Sequence, residues 1–148
     1  MKFTTLSLLL VTGTALASPA NVRSEPLKIS DLTANASKDG TANIHFSLTD
    51  PNYPDDTPTD CNTIWSWNSV PNENARCLGS NYYLRFPDGI NQFSKFTIEL
   101  ERVSGPIKEK VQASFSESAP DTKWECKENP TDGVIKRCYY NGVMEVKV

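Results

Sequence analysis

The chain has little from which to assemble a reactive centre. Its 148 residues include one histidine, His45, and no G-x-S-x-G. Nucleophilic hydrolysis needs a nucleophile, a base to take its proton and a group that orients the base, so this scarcity weighs against it. None of the four cysteines has the C-x2-C spacing of a structural zinc site. Lysine and arginine number 15 against 18 acids, with no basic cluster, which disfavours nucleic acid and anionic membranes as partners. Beyond residue 17 no apolar run approaches the roughly 20 residues that cross a bilayer. There is no internal repeat and no low-complexity tract.

What is present begins with "MKFTTLSLLLVTGTALASPA": one lysine, an uncharged apolar run from Phe3 to Ala17, then small residues. This is the layout of a secretory signal peptide over residues 1–17, with Ala15-Leu16-Ala17 fitting cleavage before Ser18. The expectation is a secreted, extracellular chain without a lipid anchor. Cleavage leaves 131 of the 148 residues and, through loss of Lys2, moves the net charge from -3 to -4. That length supports one core and would starve a second. Residues 18–26, "SPANVRSEP", lack any apolar period and read as a loose N-terminal arm, followed by a single domain over 27–148.

The secretory route is oxidising, so Cys61, Cys77, Cys126 and Cys138 read as a disulfide framework. Three pairings are formally open. Neighbour pairing would close loops of 16 and 12 residue steps. Each closure removes freedom from the unfolded chain worth roughly 3 kcal/mol.

From Leu27 onward the apolar period is two. Ile44, Phe46 and Leu48 alternate with polar neighbours, as do Tyr82, Leu84 and Phe86, then Phe96, Ile98 and Leu100, then Val111, Ala113 and Phe115, then Met144, Val146 and Val148. Turn signals fall at Asp39-Gly40, Pro87-Asp88-Gly89, Gly105-Pro106, "ENPTDG" and Asn141-Gly142. Asn141-Gly142 predicts a two-residue hairpin joining "IKRCYY" to "VMEVKV". With "LKISDLT" and "KWEC" the total is about eight or nine short strands, which predicts an all-β fold, a single antiparallel sandwich or barrel. A helical turn in "GPIKEKVQ" is the one helical expectation.

Few residues invite a chemical role. His45 falls on the polar side of its strand. Glu99 and Glu101 share a strand face, where two carboxylates could act on a glycoside, but alternation around Leu100 turns both toward solvent beside Lys95 and Arg102. Asp50, Asp55, Asp56 and Asp60 crowd a proline-rich loop without calcium-loop register and read as a solvated loop. Asn35-Ala36-Ser37 is a glycosylation sequon in a loop-like setting. Trp65 and Trp67 share one face of a strand: Trp65 reads as core packed near a disulfide, and Trp67 as either core or ligand platform. Trp67, Tyr83, Arg85 and Tyr140 form the candidate binding surface, being of the types that dominate protein and sugar recognition.

Together the signal peptide, the opening strand "LKISDLTA", "NIHFSLTDPN" leading to Cys61, the "ARC…YYLRF…FTIELERV" block and the late Cys126 and Cys138 resemble the fungal Alt a 1-like (AA1-like) family of small secreted proteins. The resemblance covers nearly all of the chain after residue 17. It implies a β-barrel or sandwich held by Cys61–Cys77 and Cys126–Cys138, no catalytic residues and no cofactor. It further implies a virulence effector, elicitor or allergen-like role in which a host plant extracellular protein, such as a thaumatin-like defence protein, is recognised without catalysis. The founding type has an extra N-terminal cysteine that joins two chains; none precedes Cys61 here, so a monomer is expected. The second expectation is a carbohydrate- or cell-wall-binding module using Trp67 and neighbouring tyrosines.

Overall fold

Ala42, Ile44, Phe46 and Leu48 alternate along one strand, and all four are fully buried, so one face of that strand is core and the other is not. The same alternation organises most of the computed structural model, which describes residues 25–106 and 108–148. The expected signal peptide, and the arm as far as residue 24, lie outside the described residues. Among the described residues nine strands run as β1 (Leu27–Ser37), β2 (Thr41–Thr49), β3 (Thr59–Ser66), β4 (Tyr82–Arg85), β5 (Lys95–Arg102), β6 (Lys110–Ser116), β7 (Trp124–Thr131), β8 (Val134–Tyr140) and β9 (Met144–Val146). No helix occurs among the described residues, so the turn expected in "GPIKEKVQ" is absent there, and that stretch leads into β6.

The strands form two antiparallel sheets. The larger has the order β3-β2-β1-β8-β7, with β9 also on β1; the smaller is β4-β5-β6. They do not close into a barrel, so of the two expected architectures the open two-sheet form holds. Aromatic rings fill the space between them. Phe96 stacks on Phe115 at 4.9 Å, and Trp124 meets both, at 5.4 and 5.3 Å. Such contacts add about 0.5 to 1.5 kcal/mol each beyond burial.

Both disulfides join sequence neighbours, Cys61 to Cys77 and Cys126 to Cys138. Cys126 and Cys138 are direct partners across β7 and β8, so their bridge staples two strands already paired. The other bridge ties β3 to the loop before β4, where Leu78 N–H also donates to the Asp60 carbonyl at 2.7 Å.

Asn141-Gly142 is not a hairpin turn. β8 and β9 do not pair with each other; both lie antiparallel to β1, along the same edge. Thr33 pairs Tyr139 and Ile29 pairs Met144, so four steps on β1 face five on the other side, and the extra residue makes a bulge. Only Gly142 of the two has positive φ (104°), whereas a type I′ turn requires it at both. The tight hairpins lie instead at Asp39-Gly40, where Gly40 has φ 84° and Asp39 Oδ1 accepts the Thr41 N–H at 2.8 Å, and at Asp132-Gly133.

Candidate functional site

In β4 the alternation sends Tyr82 and Leu84 inward and Tyr83 and Arg85 outward. Both predicted surface residues of this strand therefore share the outer face of the small sheet. Arg76 and Arg85 place their guanidinium groups 4.2 and 4.4 Å from the Tyr83 ring centre. Cation–π contacts of this kind are worth about 0.5 to 1 kcal/mol at exposed sites. Arg76 also donates to the Tyr83 hydroxyl and to the Ser80 carbonyl, and it has no carboxylate partner among the described residues. Arg85 donates to Glu101, lies 3.8 Å from Glu99 and reaches the Glu73 carbonyl.

Arg76 reaches Tyr83 because residues 75–77 run along β4. Leu84 N–H donates to the Ala75 carbonyl, Cys77 N–H to the Tyr82 carbonyl, and the Cys61–Cys77 bridge pins the end of the segment. The loop thus closed carries Val70, 76% exposed, and is followed by Leu78, 74% exposed. A groove of about 470 Å³ runs between Val70–Asn74 and Arg85–Pro87, reaching Glu99.

Glu99 departs from the expectation of a solvated carboxylate. It is on the outer face, yet Lys110 (3.0 Å), Gln112 (2.9 Å) and Arg85 fold over it and leave its side chain 8% exposed. Burial alone would raise its pKa; hydrogen bonds from Gln112 and Lys110 and the charges of Lys110 and Arg85 outweigh that and hold it below 4.5. Glu101 pairs with Arg85, and Arg102 points into the opposite, buried face.

The other two predicted surface residues stand apart. Trp67 is half-buried, its ring 4.8 Å from Phe93, and its backbone N–H donates to the Gly40 carbonyl. Tyr140 packs 6.2 Å from Phe115 and lines a separate cleft of about 510 Å³ with Lys95, Lys123, Met144 and the edges of Phe96 and Trp124. Trp65 is core, as read, between Phe86 and Phe93. Asn35 is not in a loop: it lies within β1, paired with Asn43 and Arg137, and accepts a hydrogen bond from Arg137 Nε at 2.8 Å. His45 is part-exposed on the polar side of β2, 3.9 Å from Asp60.

Sequence reasoning missed a buried polar cluster behind the small sheet. The acidic loop is not simply solvated, because Asp50 is fully buried and accepts from the Tyr82 hydroxyl at 2.5 Å. Arg102 donates to the Tyr82 hydroxyl (2.8 Å) and to Asp56 (2.5 Å), and its guanidinium lies 3.3 Å from the centre of the Tyr53 ring. Glu109, 1% exposed, is joined to the Asp50 carboxyl through Asn52, which donates to both. Burial, and then Asp50 beside it, push Glu109 up from 4.5 to about 7. None of the clefts described above opens onto this pair. A lone acid after a turn in "GPIKEKVQ" carries no local signal of such a partner.

Compared with known proteins, the chain matches no family model, no curated protein and no solved structure.

Proposed function

We propose that the protein is a secreted recognition domain of fungal effector or elicitor type, which engages a host extracellular protein without catalysis through the face formed by Arg76, Tyr83 and Arg85. The observation that carries this reading is the stacking of two arginines on one exposed-face tyrosine, beside the bare Leu78, on a loop closed by a disulfide. Tyrosine and arginine are the types that most often dominate interface energy, and a pre-formed loop loses little freedom on binding. Arg76, with no carboxylate partner among the described residues, is placed to meet an acidic group of the partner. Two disulfides accord with an oxidising, extracellular setting. The identity of the partner as a thaumatin-like defence protein comes from the resemblance of the sequence.

The test is a titration of the chain, after signal removal, against a purified thaumatin-like protein, together with capture from plant extracellular fluid. Binding that weakens tenfold or more in Tyr83→Ala and Arg76→Ala, with unfolding midpoints close to wild type, is the expected result. No captured protein, or equal capture by Tyr83→Ala, would overturn it. The glycan-binding reading has its own observation, the aromatic-edged cleft at Tyr140. It takes over if chitin or β-glucan beads retain the chain and Tyr140→Ala releases it.

A further inference from the structure

Asp50 and Glu109 face each other across two separate segments, the loop that follows β2 and the approach to β6, and water reaches neither carboxyl to any extent. Asn52 clamps both, its N–H donating to Asp50 Oδ1 at 2.8 Å and its side-chain amide to Glu109 Oε1 at 3.1 Å. Glu109 Oε2 is buried without a hydrogen-bond partner, and Asn52 holds this carboxyl and that of Asp50 side by side. An ionised carboxylate only accepts, so two of them held together out of water are reconciled by a proton on one, which makes it a donor.

The surrounding charges leave that proton in place. From β5, Arg102 faces the site, but its Nη1 donates to Tyr82 and its Nη2 to Asp56, while its Nε is bonded to neither carboxyl of the pair. From β4, Tyr82 has its pKa pushed up by burial and by Asp50, so it stays neutral. Burial acts to lower Arg102, but its bonds to Asp56 and Tyr82 outweigh that and keep it cationic. From the loop, Asp56 balances Arg102 and Tyr53 lies against the guanidinium. On the Glu109 side, Lys108 is exposed and Lys110 is engaged with Glu99; at the N-terminal end, Glu25 contributes only backbone groups to Asn52. One cation therefore faces three carboxyl groups, and a dry site tolerates the excess only by keeping a proton.

We propose that the proton shared by Asp50 and Glu109 is a latch that ties the loop of residues 50–58 to the entry of β6, closed when the proton is present and released when it leaves. With the proton gone, two like charges in a low-dielectric site repel, and the loop opens to let water reach them. The loop leads directly into Thr59 and Asp60, which hold Leu78 through 2.5 and 2.7 Å hydrogen bonds, so release loosens one border of the exposed face as well. The latch stands whether or not that face binds a host protein.

Hydrogen–deuterium exchange at the Asn52, Tyr53 and Asp56 amides tests it, with rates corrected for the intrinsic effect of pH. Tyr53 and Asp56 donate within the loop and Asn52 donates to Asp50, so all three report opening. The expected result is loss of protection by about tenfold or more between pH 5 and pH 8, following the rule that each unit of differential pKa is tenfold. Glu109→Gln supplies a permanent donor and flattens that dependence. A carbon-13 carboxyl titration of the wild-type chain covers the case in which Glu109→Gln fails to fold: Glu109 shows an apparent pKa well above 4.5. Protection independent of pH in the wild type, an unchanged pH dependence in a folded Glu109→Gln, or an ordinary Glu109 titration would overturn the proposal.

Discussion

Arg102 is the residue on which the buried side of the small sheet turns. Its forked side chain reaches Asp56 and Tyr82 together while its face lies on Tyr53, geometry that a lysine cannot reproduce. Truncation to alanine leaves Asp56 and the Asp50–Glu109 pair without a cation, and removing one partner of a buried ion pair costs about 3 to 5 kcal/mol. Urea unfolding at pH 7 is expected to show that loss for Arg102→Ala and a smaller one, about 1 to 3 kcal/mol, for Tyr82→Phe, which deprives Asp50 of a donor. A Tyr82→Phe variant as stable as wild type would show that Asp50 finds a replacement donor in water.

At the scale of elements, the Asn-Gly step separates two readings by mutation. In a type I′ hairpin both residues need positive φ, so either replacement by alanine would be costly. In the bulge seen here the strain falls on Gly142 alone, and a Cβ there meets no atom within 4 Å, so the penalty is purely one of backbone conformation. Gly142→Ala is expected to lower stability by about 1 to 3 kcal/mol and Asn141→Ala by less than about 0.5 kcal/mol, both read by thermal unfolding. The two bridges also differ in what they restrain. Cys126–Cys138 joins strands that pair anyway, whereas Cys61–Cys77 holds the loop wall and Arg76 against β4. Paired alanine substitutions at each bridge are expected to cost about 2 to 4 kcal/mol. Only loss of Cys61–Cys77 should also disturb the Tyr83 ring, as seen in its NMR shifts.

For the molecule as a whole, stability against pH is governed by two glutamates shifted in opposite directions. Glu109 binds its proton more tightly when folded, so its contribution is full in acid and is lost as pH climbs from about 4.5 through 7. Glu99 is held below 4.5 when folded, so its contribution is present above that value and disappears as pH falls through the lowered one. Urea midpoints should therefore peak near pH 5 and fall on both sides. Glu109→Gln should remove the alkaline fall, and Glu99→Gln the acid one. A curve that rises steadily from pH 5 to pH 8 would show that groups other than Glu109 dominate.

Much of this architecture was readable in the order of residues, because a strand with one buried face must alternate. Period two located β2, β4, β5 and β6, since each depends only on neighbours two positions away, and the nearby cysteine marked Trp65 as core. Oxidised cysteines followed from the expected export. The bulge at Asn141-Gly142 was not readable, because a dipeptide able to turn a chain can also kink it, and β1, distant in sequence but adjacent in the sheet, decides which. Alternation likewise put Tyr83 and Arg85 outside, but could not show that Trp67 would lie against Phe93 or that Tyr140 would border another cleft.

Local chemistry, then, determined strand and face for this chain, since those properties rest on contacts short in sequence. Asp50 and Glu109 became partners only in the folded chain, as Arg76 met Tyr83 only when its segment paired with β4. Burial and charge act through space, and folding alone chooses which distant groups share a dry pocket.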